Sequence, residues 1–266
     1  MSGHILLSFD VEEFDIPLEY GQQIGMEEQM QIGRRGLDAL MPLWEKYSTP
    51  CTLFTTANYA LKFPAVIRQL AAKHEIASHT FYHSQFENEH LLLSRQTLEE
   101  VSGKRVTGLR MPRMRKVDMA EVIKAGYLYD SSINPTYLPG RYNNFQLPRT
   151  VYTDQGMKRI PASVSPGIRL PLFWLGFKNY PYALFKSLCL QTLRKDGYVC
   201  LYFHPWEFTD ISAYKLPGYV KKPDGSVLLT RLERLINDMG KHGSFTSMHD
   251  YLLKFKHISP GTNKIN

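Results

Sequence analysis

Two hydrophobic periods take turns along this chain. "HILLSF" (His4 to Phe9) is a short apolar run that ends in acids, the pattern of a buried strand whose C-terminal end meets solvent. In "GLDALMPLWEKY", Leu37, Leu40, Met41 and Trp44 recur at helical spacing and mark one apolar face. "CTLFTT" (Cys51 to Thr56) is β-branched and aromatic, a second strand. "FPAVIRQLAAKH" opens with Pro64, which suits a helix's first turn, and "EIASH" is a third strand leading to His79. A helix follows over Leu91 to Val101, then the strand "VTGLR", the helix "MAEVIKAG" closed by Gly126, and the strand "YLYDSSI". From Tyr137 to Ile160, Pro, Gly and Asn predict long loops. The helix "YALFKSLCLQTLRKDG" and the strand "YVCLYFH" restore the alternation. The helix "LLTRLERLINDMGKHG" then carries Leu229, Leu232, Leu235, Ile236 and Met239 on one side. "SFTSM" is a final strand and "HDYLLKF" a final short helix.

Strand and helix in alternation predict an α/β fold with parallel strands and helices outside. The 266 residues fit one large α/β barrel, and with no repeat or linker the expectation is a single catalytic domain over 1–266. In a parallel barrel the strand C-termini gather at one rim, where active sites form. Asp10, Glu12, His79, His83, Arg110 and His204 all fall at or just after predicted strand ends.

Composition narrows the partners. The chain is 43% hydrophobic, enough for a sizeable core, and carries a net charge of +7. A basic balance suits nucleic acid, an anionic membrane surface or an acidic substrate, or no such partner at all. The Lys and Arg residues are scattered and no nucleic-acid motif stands out, so nucleic acid is not expected. Three cysteines without paired spacing argue against a disulfide framework and a Cys-type zinc site. Cys51 and Cys200 lie in strand-like runs and read as buried small hydrophobes. The N-terminus does not resemble a signal peptide and no apolar run is long enough to span a membrane, which makes the cytoplasm the expected location. "LPLFWLGFKNYPYALFKSLCL" interleaves aromatics with Lys178 and Lys186. Peripheral contact with a membrane or lipid carrier is one reading. A core helix plus a substrate-loop wall is favoured, because Pro171 and Pro181 break any long amphipathic helix.

Several side chains could carry chemistry. His79 and His83 are four apart in "SHTFYH", and on a helical turn i and i+4 face the same way, so two imidazoles can bind one ion; the same spacing also arises by chance among surface or core histidines. In "SFDVEEF", Asp10 and Glu12 share one side of an extended strand while Val11 and Glu13 point away. One carboxylate can complete a two-His, one-carboxylate site and the other can act as a base. Alternatively they cap a neighbouring helix or pair with Arg110. His204 in "LYFHPWEF" suits a general acid, or a structural histidine packed beside Trp206. Arg110 in "LRMPRMR" can hold Asp10 ionised, or lie at the surface with Arg113, Arg115 and Lys116.

The ordered set "SFDVEEF", "HEIASHTFYH", "GLRMPR", "YDSSI" and "LYFHPWEF" resembles the polysaccharide deacetylase family, the NodB homology domain of carbohydrate esterase family 4. It is similar to the exopolysaccharide-biosynthesis deacetylases with "DVE" and "FHPWE" motifs, over about residues 5 to 250. The resemblance implies a distorted (β/α) barrel of about seven parallel strands, NodB-like. It also implies a hydrolase that removes N-acetyl or similar N-acyl groups from an amino-sugar glycan. Asp10 would be the catalytic base, His79 and His83 of the H-[ST]-x-x-H motif metal ligands, Arg110 the residue that orients Asp10, and His204 the general acid. Where the family has a second, metal-binding aspartate this chain has Val11. Glu12 is the expected substitute as ligand, ahead of Asp15, and zinc suits the set. The third motif's usual tyrosine is Arg113, whose backbone N–H would face the oxyanion. The family's Asp–Trp fourth motif has no placed counterpart; "RIPASV" occupies its region. Two further readings are a deformylase or amidase acting on a lipid-linked sugar or small amide, and a catalytically silent glycan-binding barrel.

Overall fold

The computed structural model describes residues 3–255. Its strands are β1 (Gly3–Val11), β2 (Thr52–Thr55), β3 (Glu75–Ser78), β4 (Gly108–Leu109), β5 (Tyr129–Asp130), β6 (Tyr137–Leu138), β7 (Tyr142–Asn143), β8 (Tyr152–Asp154), β9 (Met157–Arg159), β10 (Tyr198–Phe203) and β11 (Gly243–Phe245). The main sheet runs β10-β1-β2-β3-β4-β5-β9-β8, with β11 also paired to β1. From β10 to β9 every pairing is parallel, so seven strands form the expected curled barrel wall. Beyond β9 the chain turns back to β10. Ser163 N–H donates to Cys200 O at 2.9 Å, and Cys200 N–H donates to Ser163 Oγ at 2.8 Å, drawing the two ends of the sheet together.

The helices are α1 (Ile16–Glu19), α2 (Met26–Lys46), α3 (Ala57–Lys62), α4 (Pro64–Leu70), α5 (Glu89–Ser102), α6 (Met119–Lys124), α7 (Trp174–Asn179), α8 (Tyr182–Asp196), α9 (Gly218–Lys221), α10 (Gly225–Gly240) and α11 (Met248–Phe255). Alternation along β1 divides the molecule into two cores. Ile5, Leu7, Phe9 and Val11 join the layer under the helices, with Leu37, Leu40 and Trp44 of α2. Leu6 joins Phe54, Ala77, Tyr129, Cys200 and Met248 inside the barrel. Above Leu6 the same inward row continues as Ser8 and Asp10, so the barrel changes from apolar at its base to polar at its rim. That gradient places the chemistry.

Three local expectations need correction. Tyr137 to Ile160 is not all loop: it holds two hairpins, β6–β7 and β8–β9, and β9 completes the parallel wall. Strands of two or three residues are too short to show alternation against their Gly and Asn neighbours. His79 and His83 do not lie on a helical turn but on an irregular loop after β3, with Thr80 in a left-handed conformation (φ 62°). On α10 the buried face also includes Leu228, which the spacing did not mark; it is fully buried with Leu232, Leu235, Ile236 and Met239, and Leu229 packs partly buried against the same core. In the aromatic segment Phe173, Phe177 and Phe185 are buried and Trp174 faces a cleft, as the core-plus-wall reading expects. All three cysteines are buried. Among the described residues no helix is long and apolar enough to cross a membrane.

Candidate active site

A cleft of about 220 Å³ opens at the polar rim and is lined by Asp10, Glu12, His79, His83 and His204 among others. Asp10 ends the inward row of β1. Its Oδ1 accepts from Arg110 Nη1 at 2.6 Å. Arg110 is fully buried and crosses the barrel interior rather than lying at the surface. It is held between the rings of Phe54 and Tyr202, with their centroids 4.1 and 4.9 Å from its guanidinium carbon. Its remaining N–H groups reach Ser8 Oγ, Ser131 Oγ and Ser131 O. A guanidinium this deep needs such a complete set of partners.

Glu12 stands one step beyond β1, on the same side as Asp10. Trp206 Nε1 donates to its Oε1 at 3.1 Å. Its Oε2 lies 3.0 Å from His79 Nε2 and 3.1 Å from His83 Nε2, yet Oε2 and His79 Nε2 make no hydrogen bond among the described residues. The outer nitrogens face partners of their own: His79 Nδ1 is 2.8 Å from Arg110 O, and His83 Nδ1 is in ion-pair contact with Asp15 Oδ1 at 2.8 Å. Asp15 in turn accepts both contacts of Arg113 Nη2 at 3.0 Å.

These residues fit a divalent cation. Glu12 Oε2 and His79 Nε2 are buried with no hydrogen-bond partner among the described residues, and the ligand atoms of Glu12, His79 and His83 all lie within 4.8 Å of each other. Tetrahedral bonds of ~2.0–2.1 Å imply ligand separations of roughly 3.3 Å, close to the spacings seen. Outer nitrogens held by a carbonyl and a carboxylate are the usual support of ligating histidines. Asp10, Glu12 and His204 form a second group of similar compactness. There Asp10 Oδ1 is occupied by Arg110 and Glu12 Oε1 by Trp206, so the first group is the better donor set. Asp15 supports His83 instead of competing with Glu12.

Charge in the cleft is strongly coupled. Burial works to raise the Glu12 carboxyl, but His83, His204 and His79 together hold it well below the usual carboxylate range. Burial works to lower His83, and the carboxylates of Glu12 and Asp15 outweigh it, pushing the imidazole up to about 9. Without an ion, protons supply the positive charge this pocket is built around.

His204 begins the turn after β10. Its Nε2 is 3.9 Å from both Asp10 Oδ2 and Glu12 Oε1. Its ring stacks on Trp206 (centroids 4.8 Å apart, 19° between planes) and meets Trp174 edge-on. Glu207 is the residue that sequence reasoning missed. It is fully buried, and its Oε1 accepts the His204 backbone N–H at 2.8 Å and lies 3.0 Å from His204 Nδ1. A carboxylate partner for His204, for which the sequence offered no placed counterpart, comes from inside "FHPWE" itself, three residues on. Behind Glu207 stands the buried ammonium of Lys178, 3.4 Å from Oε2, which also donates to Val220 O. A glutamate three residues after a histidine at a strand end was the available signal.

Residues 28–127 match the family model described as polysaccharide deacetylase, a stretch that includes His79, His83 and Arg110. Among solved structures the chain is similar to a protein from Mycobacterium smegmatis described as a polysaccharide deacetylase, at 19% identity and a TM-score of 0.64, over 99% of this chain and 94% of that one. The resemblance to the polysaccharide deacetylases holds. A second structure described as a polysaccharide deacetylase, from Pseudomonas aeruginosa PAO1, shares the fold at 17% identity and a TM-score of 0.68, over 97% and 92% of the two chains. An allantoinase shares the deacetylase fold as well, at 17% identity and a TM-score of 0.65, over 97% and 92%. No curated protein matches the chain in sequence.

Proposed function

We propose that this protein is a divalent-metal-dependent hydrolase that removes N-acyl groups, acetyl first among them, from an amino-sugar glycan. The convergence of Glu12 Oε2 with two imidazole nitrogens, whose outer atoms face Arg110 O and Asp15 Oδ1, carries this reading. Glu12, His79 and His83 would hold the ion, and zinc suits one carboxylate and two imidazoles. When bound, it would supply Lewis acidity toward the N-acyl carbonyl and favour ionisation of the attacking water.

The chain's own groups do the rest. Arg110 holds Asp10 Oδ1, which leaves Oδ2 free toward the cleft to take a proton from water. His204 presents Nε2 to the same space and delivers a proton to the departing amine. Glu207 at Nδ1 keeps that imidazole oriented and stabilises its charged form. The walls are aromatic: Trp174, Tyr202 and Trp206 supply ring faces and edges that suit sugar C–H surfaces.

Metal analysis of the purified protein, beside His79→Ala and His83→Ala, is the test. The expected result is about one divalent ion per chain, lost in both variants, with acetate release from N-acetylated oligosaccharides abolished by chelation. A wild-type protein without a divalent ion, whose activity survives chelation, would overturn the reading.

A further inference from the structure

Beside the cleft lies a second concavity, a groove of about 860 Å³. The two share a wall formed by Arg113, Met114, Arg141 and Tyr142. Their charge balance differs. Four carboxylates, from Asp10, Glu12, Asp15 and Glu19, line the cleft beside Arg113, Arg141 and three histidines. The groove is lined by the cations Arg113, Arg115, Lys116, Arg141 and Arg159 and by one acid, Asp154.

Pairing accounts for some of these cations and not others. Arg159 is taken by Asp130 and Asp154. Arg113 is taken by Asp15 and Glu19, and Arg141 reaches Glu19 at 3.3 Å. Arg115 and Lys116 are exposed and, among the described residues, have no carboxylate partner; Arg115 only overlies the Phe86 ring at 5.9 Å. Neutral hydrogen-bonding side chains, Asn143, Asn144 and Gln146, line the same groove.

We propose that this groove is an anion-binding subsite that receives a carboxylate or phosphate carried by the glycan whose neighbouring residue occupies the cleft. The proposal rests on the hydrolase reading for what occupies the cleft, and on the groove's own charge for the anion. Two unpaired cations in a concave, amide-lined trough suit one or two anionic groups on a polar chain. Nucleic acid would need a longer track of phosphate contacts. A membrane surface would need an apolar face standing outward. Continuity through Arg113 matters too. Its guanidinium touches His83 O and Asp15 on the cleft side, so a chain held in the groove is aligned with the ligand cluster.

The experiment uses the full chain and two probes, by titration calorimetry at low and moderate salt. Oligoglucuronate, which has no N-acyl group, reports carboxylates along a glycan. Uridine diphosphate N-acetylglucosamine reports a diphosphate on a precursor. Saturable binding of either probe is expected, weakening with salt and falling roughly tenfold in Arg115→Gln/Lys116→Gln, with Arg115→Lys retaining it. Which probe binds identifies the source of the anion. If neither binds, or the double variant binds as wild type does, the subsite does not exist. Acetate release from a neutral N-acetylated oligomer is measured in parallel. Its absence would overturn the hydrolase reading and leave the binding result standing.

Discussion

Glu12 and Asp15 are both buried acids beside His83, yet they face it from opposite sides. Glu12 meets Nε2 at 3.1 Å and Asp15 meets Nδ1 at 2.8 Å. A direct ligand and its support respond differently to loss of charge. Glu12→Gln should abolish bound metal, because an amide oxygen between two imidazoles cannot supply the anionic donor. Asp15→Asn should keep a metal but weaken it about 10–100-fold. Competition with a chromogenic chelator measures both; equal loss would show that the assignment of the third ligand is wrong. Glu207 makes a separate prediction for His204. Burial pulls that imidazole down, and Glu12, Glu207 and Asp10 outweigh it, so its pKa stands above the ordinary value. Removing one of those charges lowers it. A general acid must be protonated, so in Glu207→Gln the alkaline limb of kcat/KM should move to lower pH, with kcat down by about 10²-fold. A rate loss with an unmoved limb would give Glu207 a merely structural role.

At the scale of elements, α2 and the turn after β10 hold the site in register. Gly36 of α2 lies against that turn so closely that a Cβ there would run into Pro205 O and the Trp206 backbone nitrogen. Backbone atoms cannot rotate away as a side-chain tip can. Gly36→Ala should therefore force helix and turn apart, destabilising the fold by about 1–3 kcal/mol. It should also lower activity, since the same turn carries His204, Trp206 and Glu207. Denaturant midpoints and kcat measured on one preparation check this; a stable, fully active variant would show that the turn adjusts freely. These elements are unevenly legible in the sequence. β1, β2 and β10 were legible because buried parallel strands are continuous apolar runs. The start of α2 was not: its first turns, "MEEQMQIGRR", are mostly polar and precede the periodic stripe by ten residues. β9 was hidden because three residues, Met157 to Arg159, cannot display a period among glycines and lysines. The loop bearing His79 and His83 shows the reverse. Their spacing does mark two rings that meet, but no helix brings them together: the left-handed Thr80 and the Arg110 and Asp15 contacts set the ring positions.

Across the whole molecule, the site is a place where the fold's gradient from apolar base to polar rim leaves charge uncompensated. Asp10, Arg110 and His204 are 100 and 94 residues apart in turn, and only their common placement at strand ends hinted that they would meet. What no spacing could show was which atoms stay free of partners, and that decides where an ion fits. An ion that binds only the folded state stabilises it by mass action, about 2.7 kcal/mol at a concentration 100 times its Kd. For a chain of this size that corresponds to a rise in Tm of roughly 5–10 °C. The effect has a defined pH dependence. In the ion-free protein His83 is pushed up to about 9 from its ordinary 6.5, so between those values the folded state holds a proton that the unfolded chain does not. That contribution is fully present below 6.5 and is lost as pH rises through 9. The ion-free protein therefore weakens as pH rises across this window. Ion binding strengthens over the same window, by about tenfold per pH unit for the one proton displaced from His83. Both describe the same displaced proton, and the gap between loaded and chelated protein widens toward pH 9. Melting curves with and without chelator, at pH 6.5 and pH 9, should show the larger difference at pH 9, and Glu12→Gln should show none at either. A gap that narrows toward pH 9 would mean that the ion does not displace the His83 proton, and would remove His83 from the ligand set.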